Sequence, residues 1–162
     1  MSVNKQRPHL LILPEDDANR QLANGFILHQ RLLSNRIQVI PPLGGWARLL
    51  RRFKSDYLSG LEIYSARFLV LLIDFDGSPN RMARVREQIP VHLADRVFVL
   101  GAWTEPEDLR RASLGSYEEI GLALASNCLE DTLTIWKHDL LRCNLTEFCR
   151  LRRCVRPFLW KI

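Results

Sequence analysis

Two aspartates one residue apart, Asp74 and Asp76, close the most apolar stretch of the chain, in the run LLIDFDGSPNR (71–81). Acids also follow other apolar stretches: Glu15, Asp16 and Asp17 after the first, and Glu105 and Glu107 after the fourth. Carboxylates gathered at one place repel each other unless positive charge lies among them. A hard divalent cation, Mg2+ or Mn2+, meets that need with oxygen ligands and retained water. Such an ion polarises a phosphoryl oxygen and lowers the pKa of water, which is the chemistry of phosphate-ester hydrolysis. Side chains two positions apart on a regular strand point the same way, so Asp74 and Asp76 are expected to face one ion, with Gly77 turning the chain. Taken singly, each acid has a second use as a helix cap or dipole partner. Taken together, Glu15, Asp74 and Asp76 form the candidate metal-ligating set.

The elements that must position these acids read as strands alternating with helices. HLLIL (9–13), RIQVI (36–40), residues 67–74 and RVFVLGAW (96–103) are short, nearly continuous apolar runs, as buried strands are. Helical spacing runs through 15–35, with acids in the first turn where the helix dipole favours them. In GGWARLLRRF (44–53) it places Arg48, Arg51 and Arg52 on one side and Leu49, Leu50 and Phe53 on the other. Residues 78–90 predict a helix with Ser78 as cap and Pro79 at its first position, and Thr104 is the expected cap of the next. Residues 117–130 and 138–154 also read as helical. The pattern predicts an α/β fold with a mainly parallel sheet of about four strands flanked by helices. One domain is expected over 1–162, with the α/β core at 9–110 and a helical C-terminal part at 111–162. In such folds ligands bind beyond the carboxyl ends of the strands, where these acids fall.

Three families use a sheet edge of this kind. DFDGS (74–78) is similar to the DxDG motif of a phosphatase superfamily, whose first Asp is a nucleophile and second a general acid. That motif normally lies on the first strand of its domain, whereas 73 residues precede it here. LLILPEDDANRQL is similar to the opening acidic cluster of the receiver domain of two-component signalling, although Arg156 stands in RPF where the receiver has lysine. The third family is the Toprim domain of topoisomerases, primases and overcoming-lysogenisation nucleases. Its pattern is a glutamate after the first strand, a glycine turn after the second and D-x-D after the third. The chain offers Glu15, then Gly44 and Gly45 in IQVIPPLGGW, then Asp74 and Asp76, in that order over residues 9–110. It most resembles small stand-alone Toprim-like proteins encoded beside an ATPase in phage-defence loci. It departs from the family pattern at Asp16, where glycine usually follows the glutamate.

The Toprim resemblance implies that Glu15 is a metal ligand or general base and that Asp74 and Asp76 are metal ligands. It also implies that Gly44 and Gly45 let a turn approach phosphate, and that Glu105 and Glu107 complete a second metal site. The activity it implies is a Mg2+- or Mn2+-dependent phosphodiester hydrolase, a nuclease working with a partner ATPase, on DNA ahead of RNA. Two other readings stand beside it. One is a Toprim-like binding or assembly subunit without catalysis, which the Asp16 departure favours. The other is a phosphatase or phospho-accepting domain.

The net charge of +5 is carried almost wholly by guanidinium, since only four of the 23 basic residues are lysine. Arginine suits phosphate, although a bias toward arginine codons gives the same composition. Arg48, Arg51 and Arg52 beside the glycine turn, and Arg81 and Arg84 after D-x-D, are the candidate phosphate or nucleic-acid contacts, with Lys137 as a further candidate. Trp46 and Trp103 sit at loop–helix junctions, where they can stack on a base or simply pack. Cys128, Cys143, Cys149 and Cys154 lack paired metal-ligand spacing and read as reduced, packed thiols. No apolar run approaches the roughly 20 residues of a membrane span, and MSVNKQRPH lacks a secretory core, so a cytoplasmic, membrane-free protein is expected.

Overall fold

The four apolar runs become four strands: β1 (His9–Pro14), β2 (Ile37–Val39), β3 (Arg67–Leu72) and β4 (Val97–Leu100). The structure is a computed structural model and describes residues 2–162. Seven helices connect and cover the strands: α1 (Asp17–Ile27), α2 (Trp46–Arg52), α3 (Leu58–Ile63), α4 (Pro79–Glu87), α5 (Pro106–Arg111), α6 (Tyr117–Glu130) and α7 (Leu145–Leu159). The sheet runs β2-β1-β3-β4 with every pair parallel. The architecture is therefore α/β, with a helical C-terminal segment.

Strand alternation sends Leu10, Ile12, Val70, Phe98 and Leu100 to one face of the sheet, under α1, α6 and α7. Leu11, Leu13, Leu69, Leu71, Val97 and Val99 face the other way, under α2, α3 and α4. Both faces are covered, which is why the strands carry apolar runs without polar alternation. From β1 the chain crosses to β2 on one side, then returns past β1 to β3 on the other. The segments leaving β1 and β3 consequently diverge, α1 over one face and α4 over the opposite one. This fork is the switch point at which α/β sheets open a crevice.

Several expected boundaries move, for local reasons. The helix expected over 15–35 stops at Ile27, because Leu32 bridges to Trp160 and the Leu33 N–H donates to the Leu159 carbonyl. The helix from Trp46 continues through a π-helical turn (Phe53–Tyr57) into α3. Ser78 holds the cap position of α4 without a side-chain bond, and Glu105 rather than Thr104 caps α5. The Thr104 hydroxyl instead donates to Asp108, at 2.6 Å. The last helix begins at Leu145, later than expected, and runs through Pro157.

The C-terminal segment also does the work of a missing fifth strand. β4 is an edge strand, and its outward groups belong to Val97, Val99 and Gly101. The Val99 N–H donates to Glu147 Oε2 at 2.9 Å and the Gly101 N–H to Asn144 Oδ1 at 2.9 Å. Asn144 Nδ2 donates back to the Gly101 carbonyl at 2.8 Å, and Arg150 donates to the Val97 carbonyl at 2.7 Å. Side chains thus satisfy an edge that would otherwise invite pairing with another chain. All four cysteines are free thiols; burial pushes Cys128 up to about 12 and Cys143 up to about 11.

Candidate active site

Glu15 stands at the fork, one residue past β1. Its N–H donates to the Leu72 carbonyl at 2.8 Å, and its own carbonyl accepts from the Gly44 and Gly45 N–H groups at 2.9 and 3.1 Å. The glycine turn therefore spends both amides on the Glu15 backbone, and its effect is to fix that residue in place. The Glu15 side chain crosses the fork, where Oε2 accepts the Asp74 N–H at 2.7 Å. Asp74 Oδ1 in turn accepts from Asn19 Nδ2 at 2.8 Å. The same amide nitrogen donates to Asp16 Oδ1 at 3.0 Å, while Asp16 also caps α1 through the Asn19 N–H at 2.9 Å.

Both carboxyl groups are buried, Glu15 at 9% and Asp74 at 8% exposure, and each has one oxygen held by a donor. Among the described residues no protein donor reaches the second oxygen of either. Asn19 is fully buried and its Oδ1 has no partner. Burial is the main cause that pushes the Asp74 carboxyl up to about 7; the Asn19 bond opposes it, and the charges of Glu15, Asp16 and Glu107 reinforce it. Glu15 is likewise raised, first by burial, with the Asp74 N–H opposing and Asp16 adding to the rise.

Asp76 does not join Asp74 as the strand argument expects. Regular pairing of β3 ends at Leu72, not at 74, so the two-residue alternation no longer applies. Asp76 and Gly77 both adopt left-handed backbone, at φ +49° and +65°. The Asp76 side chain turns outward and accepts from Arg81 Nη1 at 2.8 Å, and the same nitrogen donates to the Asp74 carbonyl at 2.7 Å. The Arg81 guanidinium lies over the Trp46 ring, 5.0 Å from its centroid. Arg81 thus clasps the D-x-D turn against the start of α2, and it is the one predicted arginine brought to the carboxyls.

The remaining candidates divide. Glu107, in the first turn of α5, is close enough for its charge to raise Asp74, whereas Glu105 pairs with Arg111 at 3.4 Å. Arg48, Arg51, Arg52 and Arg84 are exposed on α2 and α4, with Arg52 paired to Asp56. Lys137 is exposed beyond α6, at the turn that carries Trp136 into its stack on Phe148. Trp103 is half-buried and donates its N–H to the Leu140 carbonyl at 2.8 Å. Comparison with protein-family models, curated proteins and solved structures finds no match to the chain. Asn19 went unread in the sequence; its one signal is its place three residues after a capping aspartate, where a buried amide can bridge two acids.

The donor set sets the terms for a metal ion. Among the described residues no three His, Cys, Asp or Glu side chains are grouped to hold one by themselves. Glu15 and Asp74 fit the looser mode of Mg2+, in which one or two carboxylates bind an ion that keeps several waters and takes substrate phosphate. Gly45 is the turn residue on which this arrangement depends. Its φ of +115° and ψ of +156° belong to a region open almost only to glycine. Gly45→Ala is expected to lower stability by about 1–3 kcal/mol in urea unfolding, and to weaken any Mn2+ binding at Glu15 beyond that loss.

Proposed function

We propose that the chain is a divalent-metal-dependent phosphodiester hydrolase, a nuclease of Toprim type, acting on nucleic acid, DNA ahead of RNA. The observation that carries this reading is the contact of Glu15 with Asp74 across the β1–β3 fork, with one oxygen of each buried carboxyl left without a donor. Glu15 and Asp74 would hold Mg2+ or Mn2+, which when bound polarises a phosphoryl oxygen and acidifies water. Glu15 would serve either as a ligand of that ion or, its carboxyl raised by burial, as the base for water beside it. Asn19 and the Asp74 N–H orient the two carboxyls from behind. Asp76 and Arg81 form an exchangeable pair: a phosphate drawn to Arg81 releases the Asp76 carboxylate toward the site. Arg48, Arg51 and Arg84 give further cationic surface on the elements that follow the glycine turn and the D-x-D turn.

The chain has no helix among its described residues long and apolar enough to cross a membrane. We place it in the cytoplasm, beside an ATPase partner, in a phage-defence or DNA-processing system. The test is incubation of single- and double-stranded DNA and RNA with the protein and Mg2+ or Mn2+. Cleavage that stops with EDTA and with Glu15→Gln is the expected result. Metal binding without cleavage of any nucleic acid would favour a phosphatase instead, and phenyl phosphate turnover would then separate the two. Neither binding nor cleavage would favour an assembly subunit, the reading supported by the outward Asp76 and by Asp16 serving as a helix cap.

A further inference from the structure

The end of the sheet opposite the fork carries a second concentration of charge. The chain after α7 returns to the segment between α1 and β2: Trp160 bridges Leu32, and the Lys161 N–H donates to the Arg31 carbonyl at 2.7 Å. Between this crossing and α7 lies a groove of about 660 Å3. Its rim carries Arg31, Arg152, Arg153, Arg156 and Lys161, and among the described residues no acidic side chain lines it. A volume of this order suits an ordinary small molecule.

Two features separate this groove from a merely solvated basic face. First, the cations are largely uncompensated. Arg152 pairs with Asp131, but among the described residues Arg31, Arg153, Arg156 and Lys161 have no carboxylate partner. The negative end of the α7 dipole favours one or two cations in its last turn, and this count exceeds that need. Second, two of the lining residues hold donors with no acceptor. Trp160 is 4% exposed and its Nε1 is unpartnered, and Arg152 Nη2 is likewise buried without a partner. Buried donors are almost always satisfied, so two in the wall of one groove call for an acceptor, which reaches them once neighbouring side chains shift to uncover them. The Arg152 side chain is held for such a role, with its Nε donating to the Cys128 carbonyl at 2.8 Å.

We propose that this groove binds a phosphate-chain anion, the di- or triphosphate of a small molecule, with its oxygens among Arg31, Arg153, Arg156 and Lys161 and against the donors of Arg152 and Trp160. One phosphate group carries about 1.5–2 negative charges, so four cations without a carboxylate partner suit a chain of two or three phosphates better than a single one. Leu129 and Pro157 give the groove an apolar wall for the rest of such a molecule. The groove lies away from the fork, so it would serve as an effector or cofactor site and does not depend on the nuclease reading.

The test is calorimetry, in EDTA, with tripolyphosphate and ATP as separate titrants. The wild-type protein is expected to bind at least one of them, and Arg153→Glu/Arg156→Glu to weaken that binding by at least about tenfold, a loss of roughly 1.4 kcal/mol. Both substituted residues are exposed, so the unliganded protein should still unfold cooperatively, with only a small fall in melting temperature from acid at the negative end of the α7 dipole. A charge-matched control beside the other face of the sheet, Lys5→Glu/Lys54→Glu, should bind as the wild type does. Equal affinity for the two titrants would identify the phosphate chain as the whole ligand, and a clear preference for ATP would add the nucleoside. The proposal is overturned if neither titrant binds, if both double variants weaken binding equally, or if a short single-stranded DNA binds the groove where both titrants fail.

Discussion

Asp74→Asn is expected to abolish metal-dependent cleavage while making the protein more stable above neutral pH. The amide keeps the Oδ1 acceptor for Asn19 but removes the charge that burial and the neighbouring acids oppose. The folded-state value of about 7 lies above the ordinary 3.8, so the folded protein binds more protons at Asp74 than the unfolded chain does between those values. Stability therefore declines as pH rises from about 4 through 7, and the full cost stands above 7. Asn carries no such cost. Allowing for water near the free oxygen, a gain of roughly 1–3 kcal/mol, or about 2–10 °C in Tm, is expected at pH 8. Little or no gain is expected at pH 4. Thermal melts of both proteins across that range, with cleavage assayed in parallel, check both halves. A variant less stable at pH 8, or one that still cleaves, would contradict the assignment of Asp74.

Glu147→Ala is expected to cause a marked loss of stability by freeing the edge of the sheet from the C-terminal segment. Glu147 is 2% exposed, accepts the Val99 N–H, and pairs with Arg86 at 2.5 Å and Arg150 at 3.1 Å. Its removal leaves an edge amide of β4 without an acceptor and strips the partner from Arg150, which lies over the Phe98 ring. Both arginines are partly exposed, so the loss is set mainly by the buried Val99 N–H left without an acceptor, about 1–3 kcal/mol. Glu147→Gln, which retains an acceptor for Val99, should lose less. Urea unfolding reads both, and a shift of under about 1 kcal/mol for the alanine variant would show that β4 does not need this substitute for a neighbouring strand.

How much of this was legible in the sequence follows from which forces are local. The four strands were legible because both sheet faces are covered, and the apolar runs record that burial directly. Their order was not, because the crossing from β2 past β1 to β3 leaves no mark at any one residue. The fork brings Glu15 and Asp74 together only through that order. Asp76 was misplaced because the period-two rule was carried four residues beyond the last regular pair of β3, into a left-handed turn. Asn144 and Glu147 read as ordinary helix residues, since their work lies on an edge strand more than forty positions earlier in the chain. Trp160 and Arg152 went unmarked for the same reason: their unpaired donors exist only once the tail has crossed to the segment before β2.

Mn2+ titration by calorimetry, comparing the wild-type protein with Asp74→Asn and Glu15→Gln, tests the central claim most directly. The wild type should bind Mn2+ at a site that releases protons at pH 6.5, as the raised carboxyls must ionise to take the ion. Both variants should lose that site while keeping cooperative unfolding. A wild-type protein that binds no Mn2+, or folded variants that bind it as well as the wild type does, would contradict a metal site at the fork.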